Sequence, residues 1–389
     1  MSVIAAYQRT PYGRFLGGLS SLSGSDLGAH ALRAALLSAG VEVAEVDYVI
    51  AGQVLQAGQG QNPARQAALA AGLPLTTPAT TLNAVCLSGM EAIVAGHRLI
   101  AAGEASIVAC LGQESMSRAP HIVYHSRLGK KYGAIEMLDS IEIDGLTDAL
   151  LGCSMGLATE DGNSDRSLTR VDQDAWALES HQRASQSHDF FAGEIAPVTI
   201  TVGRNKVSIE SDEGIRHDAD SASMAALRPA FSPEGTITAG NASPISDGAA
   251  AIVLMSEEEA SRRAVIGFAR VLSHALVSGP DTQLHSQPSS AIRRALARRR
   301  RSVEELALVE INEAFASVAL QSMADLGVDR NRVNVHGGAI ALGHPIGSSG
   351  TRIVGTLARM LSEYQPGALA GAGICGGGGQ GSAMILEAL

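Results

Sequence analysis

"ATTLNAVCLSGMEAIVAGHRLIAAGEASIVACLGQES", residues 79–115, decides the fold class. It opens as an extended run, tightens into a turn around Cys86, and continues from 90 to 103 as a helix with apolar spacing and a terminal Gly103. A buried strand at 105–115 follows. Strand, turn, helix and strand in this order are the unit of a layered α/β protein. The last third of the chain follows the same pattern without residue identity. "RVNVHGG" (332–338) reads as a strand entering a glycine turn, "GTRIVGTLARMLSEY" (350–364) as a helix, and "ALAGAGICGGGGQGSAMILEA" (368–388) as two strand runs joined by glycines. The pattern predicts an internal duplication. Two similar halves would bring two strand-to-helix turns together, a natural place for a site.

Working outward, 46–55, 248–256 and 266–278 read as strands and 62–72 as a helix with a glycine cap. From about 116 to 245 the character changes to charged, loop-like segments such as "EDGNSDRS", with a helix over 170–188. This reads as an inserted, loop-rich region. The basic run "RRALARRRR" (293–301) reads as a solvated helix face.

Bulk composition narrows the function classes. The 389 residues are 46% hydrophobic, 17% charged and 3% aromatic, with 43 glycines, enough apolar surface to offset chain entropy. A net charge of −10 argues against a nucleic-acid or anionic-membrane partner. No signal peptide is expected from "MSVIAAYQRTPYGRF", and no apolar stretch reaches the roughly 18 residues of a membrane span. Cys86, Cys110, Cys153 and Cys375 lack CxxC spacing, so free thiols in a reducing cytoplasm are expected, without zinc.

Three positions combine chemistry with an unusual backbone. Cys86 lies at a strand-to-helix turn, where the helix dipole and free N–H groups favour a thiolate; a structural core cysteine is the alternative. His344, in "GGAIALGHPIGSSG" (337–350), is held between Gly343 and Pro345 on a loop. Cys375 precedes four glycines that lack the Lys-Ser/Thr of a phosphate loop and lead into a strand. Asn312 and Glu313 in "INEAFA" (311–316) fit either a capped helix start or an amide polarising a carbonyl. Two cysteines and a histidine on glycine turns supply a nucleophile, a base and an acid, the set for acyl transfer through a thioester.

"NAVCLSG", "ESMSRAPH", "DGLTDA", "SMGLATED", "LRPAF", "ITAGNASPISDGAAA", "NEAFA", "GGAIALGHPIGSSG" and "CGGGGQGSA" occur in this order. Together with the N-terminal "AAYQRTPYGRFLGG" they resemble the thiolase family over essentially the whole chain, and within it the bacterial acetyl-CoA C-acetyltransferases. The resemblance implies a five-layered αβαβα fold of two similar halves with an inserted loop domain. On this chain the N-terminal half is 1–115 with 246–267, the loop domain covering the site is 116–245, and the C-terminal half is 268–389.

It also implies roles. Cys86 accepts the acyl group, and His344 takes its proton. His344 and a water held by Asn312 stabilise the thioester oxyanion. Cys375 moves the proton of the second substrate's α-carbon, and the N–H groups of Cys86 and Gly377 form a second oxyanion hole. Coenzyme A contacts fall on Leu146, Met155, Arg216, Ser223, Phe231, Ser243, Ala314 and Phe315. No cofactor or metal is implied beyond acyl-CoA and CoA as substrates, and a cytoplasmic homodimer or homotetramer is expected.

The chain departs from the family pattern at Leu87, Ser154, His336, Pro244 and Ser246, and Gly376 is an additional glycine beside the thiol. A degradative 3-ketoacyl-CoA thiolase of longer chain preference is an alternative, and another condensing enzyme on the same fold, such as a ketoacyl synthase, is the nearest rival. A ketoacyl synthase would carry a second histidine in place of Cys375, and a non-catalytic acyl-CoA-binding protein would lack one of the three reactive residues. A cysteine hydrolase would need no second thiol.

Overall fold

The computed structural model describes residues 1–389. Its framework strands are β1 (Ser2–Arg9), β2 (Tyr48–Gly52), β3 (Ala79–Leu82), β4 (Ile107–Ser115), β5 (Ser246–Ser256), β6 (Ala269–Ser278), β7 (Leu306–Ile311), β8 (Leu369–Gly376) and β9 (Gln380–Ala388). The principal helices are α1 (Gly24–Ala39), α2 (Pro63–Ala70), α3 (Ser88–Ala101), α4 (Met155–Asn163), α5 (Arg170–Gln186), α6 (Gln287–Ala297), α7 (Ala316–Leu326) and α8 (Ser349–Leu361).

The strands run in the order β7-β8-β9-β6-β1-β5-β4-β2-β3. The duplication is visible in this order: β3-β2-β4-β5-β1 on one side repeats as β7-β8-β9-β6 on the other, short of one outer strand. A single parallel bridge, Val309 to Val333, stands where that strand is expected. Pairs β2–β3, β2–β4 and β7–β8 are parallel, while the inner pairs are antiparallel. The halves meet where β1 pairs with β6 through Val3–Arg270 and Ile4–Ala269.

Alternation along the strands separates three cores. On β5, Ala250, Ile252 and Leu254 face a central core, whereas Ala249, Ala251, Val253 and Met255 face an outer one with α1 and α2. On β9, Met384 and Leu386 face the central core, and Ala383 and Ile385 face a second outer core with α6 and α7. The central core holds α3 and α8. The layers are therefore αβαβα, as the resemblance implies.

A helix buried on every side needs partners for its polar groups. All of α8 except Arg359 is buried, and its Arg352 pairs with the buried Glu310 at 3.1 Å. The two central helices touch backbone to backbone: a Cβ on Gly350 would lie 2.4 Å from the Met90 nitrogen. Glycine is required there because no side chain fits. The β4–β5 connection spans residues 116–245, whereas its counterpart between β8 and β9 is the turn Gly377–Gly379. The six arginines of the basic run are all exposed, as a solvated face requires, although α6 itself ends at Ala297. Arg298 and Arg299 donate to the carbonyls of His274 and Leu272 (2.6 and 2.8 Å), and Arg301 pairs with Glu305.

Candidate active site

Cys86 sits between the end of β3 and the start of α3, and the turn that presents it is over-determined. The Ser88 hydroxyl donates to the Val85 carbonyl (2.6 Å) and accepts from the Ala84 N–H (2.8 Å). The Asn83 side-chain oxygen accepts the Val85 N–H at 2.9 Å. These bonds hold Val85, a β-branched residue, at φ +52°, a conformation such residues rarely adopt without outside support.

The Cys86 thiol keeps some surface open to a cavity, but its surroundings are protein. Burial pushes its pKa up to about 12, and Glu114 adds to this, against the opposing N–H groups of Cys86 and Gly377. The helix-start position was expected to favour a thiolate; loss of solvation outweighs that pull, so the resting group is a thiol.

His344 is buried on the loop before α8. Its backbone N–H donates to the Ser246 hydroxyl at 3.2 Å, and Ser246 in turn donates to the Pro244 carbonyl at 2.8 Å. Two of the departures, Ser246 and Pro244, thus brace the histidine loop. The imidazole Nδ1 lies 2.6 Å from the Ser349 hydroxyl, which also reaches the Pro345 carbonyl at 3.2 Å. If the Ser349 hydroxyl donates to Pro345, Nδ1 carries the ring proton and Nε2 offers its lone pair. Nε2 is buried with no partner in the protein. Burial, followed by the Arg352 charge, pulls this histidine down to about 3, so it is neutral at rest.

Cys375 is buried near the end of β8, and burial, then the proximity of Cys86, raises its pKa well above the usual thiol range. The four glycines after it do different things. A Cβ on Gly376 would lie 2.8 Å from the Leu87 Cγ, whereas one on Gly377 would make only ordinary contacts with Val85 and Met155. Gly378 and Gly379 have φ of +77° and +69° and form the reversal into β9. Leu87 lies in the central core rather than in the cavity wall.

Asn312 follows β7, and its N–H donates to the Gly373 carbonyl at 2.9 Å, two residues before Cys375. Neither its side-chain nitrogen nor its oxygen has a partner, although the residue is fully buried. It does not cap a helix, since α7 begins at Ala316 after Phe315. Glu313 behaves differently. It accepts from Trp176 Nε1 (3.1 Å), the Ser180 hydroxyl (2.8 Å), Asn334 Nδ2 (2.8 Å) and the Ile340 N–H (3.1 Å), tying α5 to the loop that leads to His344.

These groups meet at a cavity of about 450 Å³. Cys86, His344, Cys375 and Gly377 line it, as do Leu146, Met155, Phe231, Ser243, Ala314 and Phe315. Arg216 and Ser223 do not: both are exposed, and Ser223 is the third residue of the short helix Ser221–Ala225, its hydroxyl accepting the Asp220 N–H at 3.0 Å. Asn312 stands behind the lining. No group of three or more His, Cys, Asp or Glu side chains that could hold a metal ion is present. No helix is long and apolar enough to cross a membrane.

The thiolase N-terminal domain model matches residues 2–258 and the thiolase C-terminal domain model matches 266–388. The chain belongs to the thiolase family. A probable acetyl-CoA acetyltransferase of Mycolicibacterium smegmatis is 48% identical over 388 residues, covering 99% of this chain and 100% of that one. An acetyl-CoA acetyltransferase of Rhizobium meliloti is 47% identical, covering 100% and 98%. The crystal structure of human mitochondrial 3-ketoacyl-CoA thiolase superposes with a TM-score of 0.95 at 36% identity, covering 100% of this chain and 98% of that one.

Several features of this thiolase's site gave no signal in the sequence. Ser349 stands five residues beyond His344 and looks like an ordinary helix residue. Glu114 accepts from the N–H groups of Val54, Leu55 and Gly347 (3.0, 3.1 and 3.0 Å), joining the β2 end to the His344 loop. Burial lifts its pKa to about 7. Phe15, Met116, Ile141 and Ile346 add apolar wall to the cavity. Of the other departures, Ser154 lines the cavity and also caps α4 through the Leu157 N–H (3.2 Å), and His336 stacks on Phe190 at 3.9 Å.

Proposed function

We propose that the chain catalyses the reversible condensation of two acyl-CoA molecules, typically acetyl-CoA, to 3-ketoacyl-CoA and free CoA. The observation that carries this reading is the convergence of two thiols and a neutral imidazole with an unpaired Nε2 on one apolar cavity. The Cys86 sulfur attacks the thioester carbonyl while its proton passes to His344 Nε2. The leaving CoA takes a proton from Cys375, giving acyl-Cys86, free CoA and a Cys375 thiolate. That thiolate removes the α-proton of the second acyl-CoA. The enolate attacks the acyl-Cys86 carbonyl, and the departing Cys86 sulfur recovers its proton from His344.

Resting neutrality suits this sequence, because charge develops only as bonds change and then meets fixed N–H donors in an apolar-walled site. Asn312, whose amide is buried and unpaired, is read as the holder of the water that supports the first oxyanion, and Gly377 N–H as part of the second. Phe231, Met155, Leu146, Ser243, Ala314 and Phe315 are read as walls for the pantetheine arm and acyl group, with Arg216 and Ser223 at the nucleotide end. A cytoplasmic homo-oligomer and no metal or organic cofactor complete the reading. Thiolysis of acetoacetyl-CoA with CoA, followed by loss of absorbance of the keto thioester, tests the reaction. Formation of two acetyl-CoA per molecule consumed is expected; absence of turnover in both directions contradicts it.

A further inference from the structure

The two reactive cysteines are each followed by a residue that packs on the other's neighbour. Leu87, next to Cys86, is fully buried, and its Cγ, Cδ2 and Cδ1 lie 2.8, 3.1 and 3.3 Å from where a Cβ on Gly376 would be. Gly376, next to Cys375, lines the cavity; Leu87 does not. Any side chain at 376 therefore has to displace Leu87, whose far side is closed by the central core. Nothing about Gly376 demands glycine through its conformation, since its φ is not positive, unlike Gly378 and Gly379. The contact is the reason for the glycine.

We propose that Leu87 is a positioning residue for acyl transfer: its side chain rests on the bare Cα of Gly376 and sets the spacing of the two thiols. Bulk at 87 and its absence at 376 form one steric pair across two segments, one from each half of the fold. A neighbouring contact runs in the same register, with the Gly377 N–H directed at the Cys86 sulfur. Displacing the 376 backbone would move both Cys375 and that donor relative to Cys86.

The inference rests on the acyl-transfer reading, so the test separates the two. Gly376→Ala, Leu87→Ala and the double variant are compared for burst acetylation of Cys86 and for steady-state condensation. Gly376→Ala is expected to retain the acetyl burst while kcat falls about 10- to 100-fold at little-changed KM, as a displacement on the order of 1 Å does. Leu87→Ala alone is expected to lower kcat because the spacer is lost, and adding it to Gly376→Ala is expected to recover part of that variant's loss rather than deepen it, because the clash is relieved. Additive losses in the double variant, or a Gly376→Ala enzyme with unchanged kcat, overturn the pairing. If Gly376→Ala does not fold, recovery of folded protein in the double variant supports the pairing, and failure to recover it overturns it. Failure of the parent enzyme to acetylate Cys86 would instead strike the reading of the reaction.

Discussion

The imidazole of His344 is oriented by Ser349, whose hydroxyl lies 2.6 Å from Nδ1 and 3.2 Å from the Pro345 carbonyl. The contact holds the ring in place, and Nε2 has no partner in the protein. Ser349→Ala removes the contact without adding bulk. Acetylation of Cys86 is expected to slow by about tenfold, since one orienting hydrogen bond is lost. Rapid-quench acetylation rates check this, and an unchanged rate would show that the loop alone orients the ring.

Asn312, like His344 Nε2, has buried side-chain polar atoms that find no partner in the protein. Asn312→Ala is expected to lower kcat by about 10²–10³-fold, the cost of losing one oxyanion-stabilising group. KM is expected to change little, because the amide is placed to act on developing charge. A matched rise in KM with kcat preserved would assign Asn312 to ground-state binding instead.

Glu114 links pH to stability. Its folded pKa is raised to about 7 by burial, above the ordinary value of 4.5 it takes when unfolded. Between these values the folded state binds more protons than the unfolded state, so stability is fullest at low pH and declines as pH rises through that window. Glu114→Gln is expected to flatten the decline while lowering stability overall. Denaturant midpoints at about pH 5 and pH 8 for both proteins check the sign, and an unchanged slope in the variant would contradict it.

Glu313 holds four donors from three separate segments. Glu313→Ala leaves them buried and unpaired and is expected to cost about 3 kcal/mol or more of stability. Chemical denaturation is the measurement; a loss below about 1 kcal/mol would mean the site relaxes to admit water.

The layered fold was legible because both halves carry apolar alternation and glycine stops, as in α3, which ends before Gly103 at φ +74°. The strand expected at 332–338 was not. Asn334, at φ +47°, turns the chain, and its side chain takes over the pairing by bonding both the N–H and the carbonyl of Ile311 (2.8 Å each). An asparagine replacing a strand ladder leaves no periodic trace. The candidate residues themselves were legible as cysteines and a histidine set among glycines. Their protonation was not, because it is decided by burial and by Glu114 and Arg352, contributed from distant strands and helices. The Leu87–Gly376 contact was hidden for the same reason, its members standing in different halves.

In the proposed reaction Cys86 is acylated and Cys375 moves the proton that makes the carbon–carbon bond. Peptide mass spectrometry after brief incubation with acetyl-CoA, on the parent and on Cys375→Ala, tests it most directly. One acetyl group on Cys86 is expected in both, formed more slowly in the variant because Cys375 no longer protonates the leaving CoA, with condensation in the variant reduced about 10²–10⁴-fold. An acetyl group on another residue, or full condensation by Cys375→Ala, would contradict it.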